Sequence, residues 1–261
     1  MTFCKAPPDP DPQRGRARAL GLYGVVAAWE EVKQQPWLEA LLDREETERK
    51  KRSLERRIAA ASLGRFKAAA DFDWAWPKRL DRVLCDELFT LGFVREGANV
   101  IVLGPNGVGK TTLAKNLAYQ AVLAGHTVRC TTASDRLHDL AKPETSRRLA
   151  TRLGRYSGPQ LLVIDEVGYL SYDNRYADLL FEVITRRYEQ SKSIVLTTNK
   201  PFGEWAQVFP NAACVVTLVD RLMHRAELLT IEADSYRLRE ANERAARRAM
   251  ERKAASPRAS R

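Results

Sequence analysis

Apolar and polar positions along the chain follow two different patterns. From about residue 16 to residue 61, apolar side chains recur at helical spacing, and Pro36 interrupts the pattern. From about residue 78 onward, short apolar runs alternate with amphipathic stretches, which is typical of parallel strands connected by helices. We therefore expect a small all-helical N-terminal module followed by an α/β domain.

The α/β domain is expected to contain a parallel five-stranded sheet between helices. Two connecting helices are predicted, one at residues 110–124, ended by Gly125, and one at about residues 175–190. The predicted strands are residues 99–103, 127–131, 161–165, 194–198 and 228–232.

Changes in composition divide the chain further. Prolines among charged residues near the start predict a disordered tail, and the Ala- and Arg-rich end predicts a basic one. The predicted regions are a disordered tail at 1–15, the helical module at 16–65, a linker at 66–77, the α/β domain at 78–245 and the basic C-terminal tail at 246–261.

The linker contains the aromatic sequence DFDWAWP. We expect Phe72, Trp74 and Trp76 to anchor this segment to the domain that follows. Stacking of nucleic-acid bases on the same rings is the alternative, and the neighbouring Asp71 and Asp73 disfavour it because they repel phosphates.

The formal net charge of +10 suits a nucleic-acid partner, since Lys and Arg displace the counterions condensed on phosphates. A generally basic soluble protein is the alternative reading of the same number. The cysteines, Cys4, Cys85, Cys130 and Cys214, form no C-x-x-C pair, so we expect reduced thiols rather than a zinc site or disulfides. Without a long apolar run or an apolar signal segment, the sequence predicts a cytoplasmic protein with no membrane partner.

A glycine-rich motif, GPNGVGKT, lies directly after the first predicted strand and directly before a helix. In that context G-x-x-x-x-G-K-T binds phosphates through backbone N–H groups and the helix N-terminus. Lys110 is expected to contact the β- and γ-phosphates of ATP, and Thr111 to bind Mg²⁺. The predicted nucleotide-contacting residues are Gly104, Pro105, Asn106, Gly107, Val108, Gly109, Lys110, Thr111 and Thr112.

Two further predicted strands end in polar residues suited to this chemistry. The run LLVIDE ends in Asp165, expected to hold Mg²⁺, and Glu166, expected to orient or deprotonate the attacking water. The run IVLTTN ends in Asn199, which suits positioning of that water, although an asparagine there also suits a simple turn before Lys200 and Pro201.

Taken together, GPNGVGKT, LLVIDEVGYL, LTTNKPFGEW and VDRLMHRAELLTIEADSYRLREA resemble the IstB-like ATPases, helper proteins of bacterial insertion sequences that are related to the DnaC helicase loaders. The resemblance covers about residues 20–244. It implies an AAA+ fold of the DnaA and DnaC clade, self-assembly on duplex DNA without much sequence choice, and recruitment or stimulation of a transposase. It also implies a location with the bacterial nucleoid.

The resemblance assigns roles to further residues. Asn199 becomes the residue that senses the γ-phosphate, and Arg221 matches the arginine that reaches the nucleotide of a neighbouring subunit. Arg225 lies one helical turn beyond and is the alternative for that role. Arg237, in the sequence SYR, is a candidate second sensing arginine, although Ala233 and Asp234 replace the Gly-Glu that usually precedes this motif.

Two basic regions are candidates for contact with DNA phosphates. One lies between the two nucleotide motifs, where the clade has an extra helix along its DNA path, and the other lies in the charged helix of the N-terminal module. In both regions a solvated helix face is the alternative. The candidate residues are Arg136, Lys142, Arg147, Arg148, Arg152, Arg155, Lys50, Lys51, Arg52 and Arg56.

The sequence therefore predicts an ATP-hydrolysing, DNA-binding assembly factor for transposition. A DnaC-type loader of a replicative helicase is the alternative function, and the N-terminal sequence disfavours it. A basic DNA-packaging protein with a vestigial nucleotide site is disfavoured because Lys110, Thr111, Asp165 and Glu166 are all present.

Overall fold

The structure is a computed structural model. It describes residues 9–141, 145–168, 174–209 and 212–255, with side chains described except at 136–138, 141, 174–176, 212–214 and 252–255. The chain forms two compact units, residues 1–56 and residues 57–261. Among the described residues, no helix has the length and the apolar character needed to cross a lipid bilayer.

The N-terminal unit is helical. Its elements are α1 (Pro12–Ala19), α2 (Tyr23–Ala27), α3 (Trp29–Val32) and the first part of α4 (Leu38–Ala61). A small core of Ala17, Leu20, Trp29, Leu38 and Leu42 holds them together.

A cluster of ion pairs around Arg16 adds to the contacts of this small core. The Arg16 guanidinium binds three carboxylates of α4, with Nη1–Oε1 of Glu39 at 2.6 Å, Nη2–Oδ1 of Asp43 at 2.5 Å and Nε–Oε1 of Glu46 at 2.7 Å. Hydrogen bonding to Arg16 lowers the pKa of Glu46 and raises the pKa of Arg16 itself. These ion pairs therefore hold α1 against α4 as long as Arg16 and the three carboxylates are charged.

The second unit is an α/β fold. Within the described residues, its five strands form one parallel sheet in the order β2-β3-β4-β1-β5. The strands are β1 (Asn99–Leu103), β2 (Val128–Thr132), β3 (Leu161–Val167), β4 (Ser193–Thr198) and β5 (Ala226–Thr230). The helices are α5 (Arg82–Phe89), α6 (Gly92–Glu96), α7 (Lys110–Leu123), α8 (Ala133–Ala141), α9 (Ser146–Ser157), α10 (Asn174–Glu189), α11 (Ala212–Met223) and α12 (Tyr236–Ala255), with 3-10 turns at Ala69–Asp71 and Phe202–Gln207.

Helices cover both faces of this sheet, as the apolar strand sequences require. Every residue of β4 is buried, and α7 buries Leu113, Leu117 and Val122. Helices α8, α9, α10 and α11 pack on the sheet through a large apolar cluster, which includes Leu180 of α10 and Trp205. The sheet is thus a rigid platform whose strand ends can position side chains.

The fully buried Arg187 of α10 organises the amino-end edge of the sheet. Its guanidinium donates to the carbonyls of Tyr156, Pro159, Gln160 and Ser193 at 2.5 to 3.0 Å. These carbonyls precede β3 and begin β4, so one side chain fixes the starts of two strands.

The predicted five-stranded parallel sheet is confirmed, with small shifts in the ends of its elements. The largest shift is in β5, predicted at 228–232 and found at Ala226–Thr230, because β5 starts as soon as α11 has turned and pairs from Asn99 onward.

The boundaries of the predicted regions also differ from the observed elements. Helix α1 begins at Pro12, inside the predicted tail, because the Asp11 side chain caps it and proline suits the first turn. Helix α12 runs to Ala255, past the predicted boundary at residue 245, while residues 1–8 and 256–261 lie outside the described residues.

Candidate nucleotide site

The glycine-rich loop between β1 and α7 is held against the sheet. The Gly104 N–H donates to the carbonyl of Thr198 at 3.2 Å, which joins the loop to the end of β4. Gly107 and Gly109 have φ angles of 82° and 101°, in the left-handed region that favours glycine. The loop therefore depends on glycine to turn back on itself and start α7.

Lys110 is buried at the start of α7 and points into this loop. Its Nζ donates to the carbonyl oxygens of Gly104 at 2.8 Å and Pro105 at 2.7 Å. The pKa of Lys110 is lowered, mainly by burial. The nearby Asp165 opposes this shift, and the nearby Arg237 adds to it. A buried ammonium surrounded by loop carbonyls and N–H groups is suited to binding an anion such as phosphate.

Asp165 and Thr111 meet at the carboxyl ends of the strands. The Thr111 hydroxyl donates to Oδ1 of Asp165 at 3.0 Å, and the hydroxyl of Thr197 on β4 donates to the same oxygen at 2.5 Å. A hydroxyl and a carboxylate are hard oxygen donors of the kind Mg²⁺ prefers. These residues therefore fit a magnesium site.

Glu166 occupies a bulge in β3. The β3–β4 register shifts between Ile164 and Val167, so Asp165 and Glu166 lie opposite the single residue Thr197. Glu166 has a φ of 62°, a conformation that costs a residue with a side chain about 1–2 kcal/mol. Its side chain is exposed while that of Asp165 is buried, so the bulge sends the two acids into different surroundings.

Asn199 follows β4 directly, next to this bulge. Its Oδ1 atom is buried, and it has no hydrogen-bond partner within the described part of the chain. A buried amide oxygen without a partner is suited to accepting a hydrogen bond from a bound group such as water.

The outer wall of the site comes from the predicted linker and from α12. A cleft of about 280 Å³ lies over the glycine-rich loop. Besides the loop and Glu166, it is lined by Lys67, Asp71, Phe72, Asp73, Trp76, Tyr236, Arg237 and Glu240. Aromatic rings beside a phosphate-binding loop suit a nucleotide, whose base is flat and whose tail is anionic.

Several polar contacts fix the linker to α12. Arg239 binds Asp73 at 3.2 Å, and its guanidinium lies 4.4 Å from the centre of the Trp76 ring. Trp76 Nε1 donates to the carbonyl of Asp234 at 3.0 Å, and Lys67 forms an ion pair with Glu240. The predicted anchoring of the aromatic linker thus has a definite partner in α12.

Helix α12 is in turn joined to the glycine-rich loop. The Tyr236 N–H donates to the carbonyl of Gly107 at 3.0 Å. Arg237 in the same turn therefore lies on the wall of the cleft, next to Lys110.

The chain is similar to known proteins. A family model described as the IstB-like ATP binding protein matches residues 14–244. The chain belongs to the IstB-like ATP-binding protein family. One relative is a protein named as ATP-binding from insertion sequence IS21 of Pseudomonas aeruginosa, 38% identical over 82% of this chain and 80% of the relative. Another, similarly named, comes from insertion sequence IS5376 of Geobacillus stearothermophilus, 35% identical over 82% of this chain and 85% of the relative.

The fold also matches solved structures. The replication initiator DnaA bound to AMPPCP and single-stranded DNA superposes with a TM-score of 0.52 at 21% identity, covering 64% of this chain and 50% of that one. At this identity the likeness concerns the fold, which is the α/β fold of AAA+ domains.

The two arginines considered for contact with a neighbouring subunit lie at the opposite, amino-end edge of the sheet of this IstB-like protein. Arg221 is half-buried near the end of α11, donates to the Thr185 hydroxyl and lies 5.0 Å from the centre of the Phe181 ring. The side chain of Arg225 is exposed, and its backbone carbonyl accepts from the Asn99 N–H at the start of β1. Neither arginine lines the nucleotide cleft of its own subunit.

The candidate DNA-binding residues between the nucleotide motifs differ in their surroundings. Arg147, Arg148 and Arg155 are exposed on α9, whereas Arg152 donates to the carbonyl of Asp139 at 2.8 Å and links α9 to α8. Arg136 lies on α8, but its side chain is outside the described residues, as is all of Lys142.

The candidates in the N-terminal region, Lys50, Lys51, Arg52 and Arg56, are all exposed on α4. Successive helix positions differ by about 100°, so Arg52 and Arg56 share a side while Lys50 lies on nearly the opposite one. These four residues therefore do not form one flat surface.

Sequence reasoning missed Thr197, Tyr236 and Arg239. The apolar run that precedes Thr197 in IVLTTN could have pointed to this residue, because a hydroxyl in a buried strand needs a hydrogen-bond partner. Tyr236 and Arg239 lie on either side of the predicted Arg237 in the chain. Their linker partners are distant in the sequence, with 166 positions between Asp73 and Arg239.

Proposed function

We propose that this protein is an ATP-dependent DNA-binding AAA+ regulator of DNA transposition. It assembles on duplex DNA, recruits or stimulates a transposase, and uses ATP hydrolysis to reset the complex. The observation that carries the proposal is the grouping of Lys110, Thr111 and Glu166 along one cleft at the carboxyl-end edge of the sheet, where Thr111 is hydrogen-bonded to Asp165. The names of the relatives, ATP-binding proteins of insertion sequences, support the transposition setting.

Binding of the triphosphate would use the loop and its flanks. The backbone N–H groups of residues 106–112 and the Lys110 ammonium would hold the phosphates, and Arg237 would add a second positive charge from the cleft wall. Phe72, Trp76 and Tyr236 provide apolar surface for the base. Thr111 and Asp165 would hold Mg²⁺, which, when bound, neutralises charge on the β- and γ-phosphates.

Hydrolysis requires an oriented water and a stabilised transition state. The exposed Glu166 carboxylate would accept a proton from the attacking water, and the buried Asn199 Oδ1 would fix the position of that water. A neighbouring copy would supply an arginine. Of the two candidates, exposed Arg225 is better placed than Arg221, which already binds Thr185.

Contact with DNA would come from phosphate-binding arginines. Arg148 and Arg155 lie seven positions apart on α9, about 20° apart around the helix, and both are exposed. Such contacts carry little sequence information, which suits a protein that acts at many sites.

The test compares three single substitutions in nucleotide binding, DNA binding and ATP turnover. In Lys110→Ala we expect nucleotide affinity to fall at least about 100-fold and ATP-dependent DNA binding to disappear, because the buried charge that meets the phosphates is lost. In Glu166→Gln we expect ATP-dependent assembly on DNA to persist while turnover falls by about 10²–10³. Electron microscopy with ATP and duplex DNA would report assembly.

The matched control is Lys192→Ala. Lys192 also donates to two carbonyls, those of Ser157 and Gly158, and burial also lowers its pKa, but it lies at the opposite edge of the sheet. Its loss should leave nucleotide affinity unchanged. Normal assembly of the Lys110 variant would contradict the proposal, and recovery of a replicative helicase without a transposase in pull-downs would favour a helicase loader instead.

A further inference from the structure

The hydroxyl of Thr197 joins the two acids of the nucleotide site to the neighbouring strand. Thr197 lies on β4, is fully buried, and is the one residue opposite the bulge formed by Asp165 and Glu166. Two hydrogen bonds meet at its Oγ1 atom. The backbone N–H of Glu166 donates to it at 3.0 Å, and it lies 2.5 Å from Oδ1 of Asp165.

The direction of both bonds follows from their chemistry. A backbone N–H only donates, and an ionised carboxylate only accepts, so the Thr197 hydroxyl accepts from Glu166 and donates its proton to Asp165. A hydroxyl can do both at once, whereas a methyl group of the same size can do neither.

The bulge explains why a side chain is needed here. Where the register shifts, the ladder of backbone hydrogen bonds between β3 and β4 is interrupted. The Glu166 N–H is therefore bound by the Thr197 side chain instead of a strand carbonyl. This bond supports Glu166 in its left-handed conformation, with a φ of 62°.

The same hydroxyl helps to fix the orientation of the Asp165 carboxylate. Within the described residues, both hydrogen bonds to this carboxylate, from Thr111 and from Thr197, end on Oδ1. The carboxylate is thus fixed from two sides, by the phosphate-binding helix and by the strand that leads to Asn199.

We propose that Thr197 is a positioning residue for ATP hydrolysis, which sets the Asp165 carboxylate for its metal and the Glu166 backbone for the attacking water. The inference rests on the proposed ATPase function. Thr197 acts through the two acids, since its Oγ1 atom is bonded to the Asp165 carboxylate and to the Glu166 backbone N–H.

The test compares Thr197→Val, which keeps the shape but removes the hydroxyl, with Thr197→Ser, which keeps the hydroxyl. In the valine variant we expect the Mg²⁺ concentration needed for tight binding of a fluorescent ATP analogue to rise by about 10–100-fold, the typical effect of removing a residue that orients a metal ligand. Affinity for the analogue in EDTA should stay within about twofold, because the loop and Lys110 are unchanged. The turnover number should fall with little change in KM, and serine should restore both properties.

A readout independent of nucleotide is hydrogen exchange at the Glu166 amide. It should be faster in the valine variant than in the wild-type or serine variant, since the N–H has lost its acceptor. Ser193→Ala is the matched control, because Ser193 is another fully buried hydroxyl of β4, bonded to the carbonyl of Phe93 at 3.0 Å. This control should leave the Mg²⁺ requirement and the Glu166 exchange rate unchanged.

The two proposals fail in different ways. A wild-type protein that binds the analogue but hydrolyses no ATP under any DNA condition would overturn the ATPase function. A wild-type protein that hydrolyses ATP while the valine variant shows the same Mg²⁺ requirement and the same Glu166 exchange would overturn the role of Thr197 alone. A lower melting temperature in the valine variant without these changes would mean that the hydroxyl serves only stability.

Discussion

The two edges of the sheet in this protein carry different chemistry. The carboxyl-end edge holds the glycine-rich loop, Asp165, Glu166 and Asn199, and the amino-end edge carries Arg221 and Arg225. A strand of five residues is about 17 Å long, so an arginine at the start of β5 is too far from the nucleotide of its own subunit. Under the proposed function, the arginine would therefore come from a neighbouring copy, and hydrolysis would depend on assembly.

The largest effect on ATP turnover should come from a substitution that removes an arginine of the amino-end edge and leaves the carboxyl-end edge intact. In Arg225→Ala we expect ATP turnover to fall by about 10³ or more, on the scale known for trans arginines, while nucleotide binding persists. Mixing this variant with Lys110→Ala subunits, which keep Arg225, should restore part of the turnover. In steady-state measurements, the ATPase rate plotted against the ratio of the two variants should pass through a maximum.

Arg221→Ala is the control for that experiment. Since Arg221 binds Thr185 within its own subunit, its loss should lower stability more than turnover. If Arg221→Ala abolished turnover and Arg225→Ala did not, the assignment of the two arginines would be reversed.

The amino-end edge should matter more for stability than the carboxyl-end edge does. In Arg187→Ala the four carbonyls that it binds would lose their buried donor, so we expect the free energy of unfolding to drop by about 3 kcal/mol. Urea denaturation would measure the change. Arg186→Ala is the matched control, because Arg186 forms a surface pair with Glu182 of the kind that contributes less than about 1 kcal/mol.

At the carboxyl-end edge, the contact between the loop and the linker can be tested by Gly109→Ala. An added Cβ would lie 2.6 Å from Cε2 of Phe72, and the φ of 101° disfavours alanine. A strain of about 1–2 kcal/mol corresponds to roughly tenfold weaker nucleotide binding. Gly154→Ala, in the open space of α9, should leave affinity unchanged, and equal affinities for the two variants in a fluorescence titration would argue against the strain.

The smallest effect concerns the N-terminal unit and serves as a contrast to both edges. Hydrogen bonding to Arg16 lowers the pKa of Glu46 below its ordinary 4.5, so this bond stabilises the fold fully above pH 4.5 and is lost as the pH falls through the lowered pKa. Arg16→Ala should therefore reduce the melting temperature at neutral pH, and its difference from wild type should shrink in acid. Circular dichroism melts from pH 7 to pH 3 would test this. The control is Arg18→Ala, because Arg18 forms its ion pair with Asp9.

The sequence was sufficient to predict the sheet, and the roles assigned to the residues of the candidate site stay predictions. Continuous apolar runs fix the buried strands, and the glycine spacing before Lys110 has a direct geometric reason. Contacts between residues that are distant in the chain could not be predicted from the sequence. The bulge at Glu166 depends on the register of β4, and the use of Arg152 to bind the Asp139 carbonyl depends on how α8 meets α9. The linker likewise has an aromatic composition that indicates anchoring, but its partner α12 is distant in the chain.

The attachment of the linker to α12 has a consequence for how the protein can be divided. Lys67 and Glu240, 173 positions apart, form an ion pair and both line the candidate nucleotide cleft, so two segments from opposite parts of this unit meet there. Composition places the start of the domain near residue 78, yet a fragment cut there would keep the glycine-rich loop and lose Phe72 and Trp76. The border of the folded domain and the border of its binding site are therefore different places in the chain.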